Sequence, residues 1–297
     1  MSVRRGLAPR RDLFVMTLAY AAALLAAIYV GRTAHGLHPL VVAGAADLAA
    51  TVVIFTFSVA YDNSSFYDAY WSVAPIGLAV YWLLGAPPEV PAIRQALVVV
   101  LVGAWGVRLT LNWLRGWRGL EHEDWRYVQM RGQTGRAYWL VSFVGLHLVP
   151  TLVVFAACLP VYLAVARGTQ PIGWLDALAV GLTAGAIAIE GIADLQLHRF
   201  RATAPPGAML EHGLWAYSRH PNYFGEALFW WGVWTFGLAA VPGAWWSAAG
   251  ALAITLMLWL ISIPLLDRRM QASRPGYARR MARVSALVPW FPRRPER

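Results

Sequence analysis

The sequence predicts an all-α polytopic membrane protein of seven to eight transmembrane helices, with both termini cytoplasmic. Three observations predict it. Of 297 residues, 59% are hydrophobic and only 13% are charged, about half the charged share of a soluble chain. Mean hydropathy is +0.50. Apolar segments lie near 12–30, 39–60, 70–85, 91–112, 138–166, 172–197, 222–241 and 244–265, and each reaches or approaches the roughly 20 residues that cross a bilayer.

The first segment follows Arg4, Arg5, Arg10 and Arg11. Arg10-Arg11 has the form of a twin-Arg secretion signal, but no convincing cleavage site follows and further apolar segments do. The segment is therefore read as a retained anchor. The second segment holds Asp47 and the fifth His147, both read as polar contacts between helices. Between the second and third lies 61–72, polar and aromatic but without Arg. That composition predicts that it folds in against other helices rather than lying on lipid headgroups. Orientation follows from the excess of Arg on one side. Connections 113–137 and 198–221 and the tail 266–297 are Arg-rich and are placed in the cytoplasm. The opposite connections 31–38, 86–90, 167–171 and 242–243 hold only Arg32 and Arg167, with Arg94 just inside the fourth segment. Pro87-Pro88 and Pro205-Pro206 mark turns. Residues 1–90 are expected to form the lipid-substrate side and 91–297 a cofactor-binding membrane domain.

The net charge of +10 does not point to nucleic acid, because the arginines sit between apolar runs. No lysine is present, which removes Schiff-base chemistry. Arginine favours planar contacts to phosphate or carboxylate, although a GC-rich genome gives the same bias. Cys158 is alone, so neither a disulfide framework nor a Cys metal site is predicted. No metal set and no obligate protein partner are evident.

The sixth segment ends Glu190-x-x-x-Asp194-x-x-x-His198-x-x-Arg201, one helical stripe by spacing. It is either half of a ligand site or a polar seam between helices. The fourth segment ends Arg108-x-x-x-Asn112-x-x-Arg115, followed by Arg118. Arg108 is expected to pair with the stripe, since buried charge needs a partner. Arg115 and Arg118 are phosphate candidates or snorkelling interface arginines. The seventh segment opens with Ser218-Arg219-His220-Pro221-Asn222-Tyr223-Phe224-Gly225-Glu226. Pro221 suits a first helical position, and the helix N-terminus favours an anion. A diphosphate on Arg219 and Arg201, with an amide or hydroxyls on Asn222 and Glu226, fits this pattern; capping and helix pairing is the other reading. After the last segment, Arg268 and Arg269 suit either a ligand phosphate or anionic lipid. Asp68, Tyr67 and Tyr70 in the 61–72 connection supply general-acid candidates.

The run Gly213-Leu214-Trp215-Ala216-Tyr217 through Glu226, with Asp194, Arg201 and the ending Ala286-Leu287-Val288-Pro289-Trp290, resembles the steroid 5α-reductase superfamily of membrane reductases, and most closely its bacterial branch. The likeness covers roughly 100–295. It implies NADPH in a cytoplasm-facing pocket and hydride transfer to the β-carbon of a lipid enone drawn from the bilayer. It implies cofactor contacts at Asn222, Glu226, Asp194 and Arg201, with His198, Tyr217, Arg219, His220 and Tyr223 beside them. Arg115 or Arg118, and Arg268 or Arg269, match more loosely. Steroid-reducing members pair an early-helix Tyr and Glu near the enone; the place of that Tyr holds Trp105, and the third segment has no Glu. Asp68 with Tyr67 or Tyr70 is the expected substitute.

Two other functions compete. Isoprenylcysteine and phospholipid methyltransferases, which use S-adenosylmethionine, are similar in an Arg-His-Pro-x-Tyr-x-Gly run, but their usual Glu-Glu pair after the last helix is replaced here by Asp267-Arg268-Arg269. A non-catalytic lipid-binding membrane protein is the third reading. The expected location is the bacterial inner membrane.

Overall fold

The computed structural model describes residues 9–205 and 207–293. Arg4, Arg5 and Pro206, used in the orientation and turn arguments, lie outside them. Among the described residues the chain is helical, with no β-strand beyond one isolated bridge between Ser218 and Ser285.

The helices are α1 (Arg10–Thr33), α2 (Pro39–Ala60), α3 (Tyr70–Leu84), α4 (Ala92–Gly116), α5 (Trp125–Thr134), α6 (Tyr138–Ser142), α7 (Val149–Ala166), α8 (Trp174–Thr203), α9 (Pro221–Ala240), α10 (Ala248–Met257), α11 (Ile263–Ser273) and α12 (Tyr277–Arg283). A π-helical turn, Phe143–Leu148, joins α6 to α7, and another, Leu258–Ser262, joins α10 to α11. Every predicted apolar segment is helical. Among the described residues six stretches are long and apolar enough to cross a membrane: Arg10–Thr33, Pro39–Ala60, Ala92–Gly116, Trp125–Ala166, Trp174–Thr203 and Trp245–Ser273. The chain is an integral membrane protein, and six of the expected seven to eight spans meet this measure of length and apolarity among the described residues. Helix α3 has 15 residues, about 22 Å at 1.5 Å each, against a hydrocarbon core of about 30 Å. Helix α9 has 20, but Trp, Gly, Asn and Glu dilute its hydropathy.

The described residues form two compact units, whose boundaries fall between α3 and α4, inside α4 and inside α7. The first holds the described residues up to Ala86 together with Val102–Cys158; the second holds Pro87–Leu101 and the described residues from Leu159. In the first, α1 packs on α2 through Ala19, Ala23, Ala50 and Ile54, and the core continues into Phe66, Tyr67, Tyr70 and Trp117. The 61–72 connection does fold inward: Asn63, Ser64, Ser65, Phe66 and Tyr67 are buried. The acidic residues that interrupt the arginines of 113–137 have local work. Asp124 caps α5 by accepting from the Arg126 amide at 2.9 Å. Glu123 accepts from the Ser64 amide at 2.7 Å.

In the second unit α8 and α9 are the closely packed pair. A Cβ on Gly225 would sit 2.7 Å from the Glu190 Cβ, and one on Gly232 would sit 2.6 Å from the Thr183 methyl. Two glycines seven residues apart thus let two backbones approach where side chains would hold them off. Arg94 anchors the far end. Its guanidinium grips Asp176 at 2.7 and 2.9 Å and donates to the Gln170 and Pro171 carbonyls.

Candidate functional site

The nonapeptide is fixed from three directions in the second unit. Pro221 is the first residue of α9, which leaves Ser218, Arg219 and His220 as the approach. The Ser218 hydroxyl donates to the Leu287 carbonyl at 2.8 Å and accepts from the His220 amide at 3.1 Å. The Arg219 amide donates to the Ser285 carbonyl at 2.8 Å, and the Trp290 amide to the Tyr217 carbonyl at 2.9 Å. An extended strap after α12 thus runs beside residues 217–219.

The second fixing point is Asp267 of α11, which is buried. It accepts from Arg219 Nη2 at 2.9 Å, from His220 Nε2 at 3.0 Å and from the Tyr277 hydroxyl. Burial raises the Tyr277 phenol above its ordinary range, and the Asp267 charge adds to this. The His220 ring stacks on Tyr223 at 5.5 Å. The third point is α8: Asn222 Nδ2 donates to Asp194 Oδ1 at 3.3 Å. Glu226, almost fully buried, accepts from the Trp230 indole at 2.7 Å.

The structure therefore brings Asp194, Arg219, His220, Asn222, Tyr223 and Glu226 into the α8–α9–α11 region of one unit. Tyr217, His198, Arg201, Arg268 and Arg269 are exposed in the same unit. Arg219 and His220, just ahead of α9, both contact Asp267. Asp267, named in the sequence only as part of Asp267-Arg268-Arg269, was given no partner there, although an acid directly ahead of two arginines at the end of an apolar run was a usable signal. Arg115 and Arg118 are exposed in the first unit.

The first unit carries two acid–phenol pairs. Tyr70 donates to Asp47 Oδ1 at 2.6 Å, where both side chains are buried. Tyr67 meets the Thr151 hydroxyl at 2.9 Å, and Thr151 meets Thr51 at 3.0 Å. Asp68 accepts from the Tyr127 hydroxyl and from the Trp113 indole at 3.4 Å. Burial pushes the Asp68 carboxyl up to about 6, with Tyr127 pulling the other way. Asp47 and Tyr127 were not among the predicted acids, although Asp47 was correctly expected to contact another helix. His147 is likewise satisfied, between Ser58 Oγ at 3.2 Å and the Ser142 carbonyl at 3.0 Å. Trp105 is fully buried, edge-on to Trp71 at 6.2 Å. No metal-binding group of His, Cys, Asp and Glu occurs among the described residues.

Comparison with known proteins gives a family but no assigned activity. No solved structure matches the chain. The uncharacterized protein C594.04c of Schizosaccharomyces pombe is 26% identical over 211 residues. The match spans 63% of this chain and 61% of that protein, so somewhat less than two thirds of the relative's length is covered. The model of the family described as protein of unknown function DUF1295 matches residues 54–284. That stretch takes in α3 to α12, with the nonapeptide, Asp194 and Asp267 inside it, and the chain belongs to the DUF1295 family.

Proposed function

We propose that the chain is an NADPH-dependent membrane oxidoreductase of the steroid 5α-reductase type, reducing a carbon–carbon double bond of a lipid enone in the bacterial inner membrane. The observation that carries the reading is the Asn222–Asp194 hydrogen bond at 3.3 Å. It joins the start of α9 to the acid stripe of α8, so the two sequence motifs form one polar site.

The residues fit a dinucleotide. Among the described residues, Arg219 Nε is buried with no hydrogen-bond partner, a donor left over after Asp267 has taken Nη2. Exposed Arg201, Arg268 and Arg269 add charge for phosphates. Asn222 offers both a carbonyl and an amine, and Asp194 and Glu226 accept from hydroxyls or a carboxamide. NADPH, when bound, supplies the hydride. The protein orients the cofactor through Asn222, Asp194 and Glu226 and keeps water away through the buried inner face of α9.

The general-acid candidates form a cluster of their own within the first unit. Tyr70, tied to Asp47 at 2.6 Å, is a phenol able to serve as an acid when Asp47 carries a proton. Tyr67 and the Asp68–Tyr127 pair are the neighbouring acids. Lipid enters from the bilayer and cofactor from the cytoplasm.

The test is a thermal-shift titration of the purified chain with NADPH and with S-adenosylmethionine. NADPH raises the melting temperature and S-adenosylmethionine does not. The opposite pattern would put the chain with the membrane methyltransferases, and no shift from either would leave the lipid-binding reading.

A further inference from the structure

A second basic feature lies away from Asp194 and Asn222. Residues of the 207–217 segment, α12 and the strap enclose an open cleft of about 950 Å³. Arg279, Arg280, Arg283 and Arg293 line it against a single acid, Glu211. Arg280 is buried and held: it donates to the Trp215 carbonyl and stands 3.4 Å from Glu211. Arg283 Nε donates to the Arg293 carbonyl at 3.3 Å, and the Arg293 amide donates to the Arg283 carbonyl at 2.9 Å. The Arg283 side chain and the Arg293 backbone are thereby tied together at the lining of the cleft. The charge is concentrated by the fold, not strewn along a tail.

The rest of the lining is short and apolar: Met209, Ala216, Pro275, Ala282, Val284 and Pro292. None of the lining residues is aromatic, so a nucleotide base has no ring to stack on. The strap that closes the cleft also leaves Val288, Trp290 and Phe291 more than half exposed. Phe291 meets exposed Tyr217 edge-on at 5.9 Å. Scattered exposed apolar residues are ordinary. Trp, Phe and Tyr grouped beside arginines, on a chain that spans the membrane, are the composition of a membrane–water interface.

We infer that this cleft is a headgroup site for an anionic phospholipid, the arginines taking the phosphate while Trp290 and Phe291 sit among the acyl-chain ends. A zwitterionic headgroup gains less, because its own cation cancels the attraction. The site depends on membrane insertion alone and stands whether or not the chain is a reductase.

The test uses the full chain in neutral detergent and fluorescent phosphatidylglycerol and phosphatidylcholine as probes. Phosphatidylglycerol binds at least tenfold tighter. Arg279→Gln with Arg283→Gln weakens that binding by about thirtyfold, on a scale of about fivefold per basic residue at an anionic surface. It leaves phosphatidylcholine binding and the helical circular dichroism unchanged, since both arginines are exposed. Lysine at both positions restores most of the binding. Equal affinity for the two lipids, or an unchanged Gln variant, overturns the inference. So does displacement of phosphatidylglycerol by millimolar inorganic phosphate or NADPH, which would assign the cleft to a soluble phosphate ligand.

Discussion

His220 Nε2 and Asp267 Oδ1 stand 3.0 Å apart with both side chains buried. The same carboxylate holds Arg219 at 2.9 Å, so one acid of α11 governs two residues of the nonapeptide. Asp267→Ala leaves a buried guanidinium without its counter-ion, a loss on the order of 3–5 kcal/mol. The variant should melt several degrees lower, whereas Asp267→Asn, which keeps an acceptor of the same shape, should lose less. Equal melting of all three proteins would show that Asp267 does not hold the nonapeptide.

Asn222→Ala and Glu226→Gln address the proposed cofactor site itself. Each removes a polar contact worth about 1–2 kcal/mol, so each should weaken NADPH binding by roughly tenfold in a calorimetric titration, with helical circular dichroism retained. Unchanged affinity in both would return these residues to capping and pairing.

Asp68 gives a signed pH effect. Its carboxyl is raised from 3.8 to about 6 in the folded chain. Its stabilising contribution is therefore complete below about pH 4 and is lost as pH rises through about 6. Asp68→Asn does not titrate. Its melting temperature should gain on the wild type steadily between pH 4 and pH 7. A constant difference across that range would mean that Asp68 is not protonated in the fold.

Arg94 and Asp176 allow a double-mutant cycle. Both are nearly inaccessible, at 0% and 3% side-chain exposure. Asp176→Leu alone should destabilise by about 3–5 kcal/mol, because Arg94 is left charged and buried. Arg94→Met with Asp176→Leu should recover most of that loss, measured by denaturation in mixed detergent. Additive losses would refute the pairing as the source of the effect.

Much of this was legible in the chain. The apolar runs marked every long helix to within several residues, because lipid-facing hydrophobicity is local information. The exclusion of Arg from 61–72 foretold its inward fold. Helix α5 was not legible: Trp125-Arg126-Tyr127-Val128-Gln129 reads as interfacial loop, and only the Asp124 cap marks its start. Partnerships across long sequence separations stayed hidden. Asp267 finds His220 47 residues away, and Arg94 finds Asp176 82 residues on. Even Asp47 and Tyr70, 23 apart, were read as two separate residues. Spacing puts side chains on one face of one helix; it does not say which second helix comes to meet them.

The strap pairing has a consequence for biosynthesis. Ser285 and Leu287, which receive the Arg219 amide and the Ser218 hydroxyl, are translated after every membrane-crossing stretch described here. While the last membrane-crossing stretch, Trp245–Ser273, enters the bilayer, residues 217–219 lack those acceptors. Membrane insertion and closure of the polar site are then separate events, ordered in time by the direction of translation. A chain halted after α11 would be inserted, yet its nonapeptide would still wait for the strap.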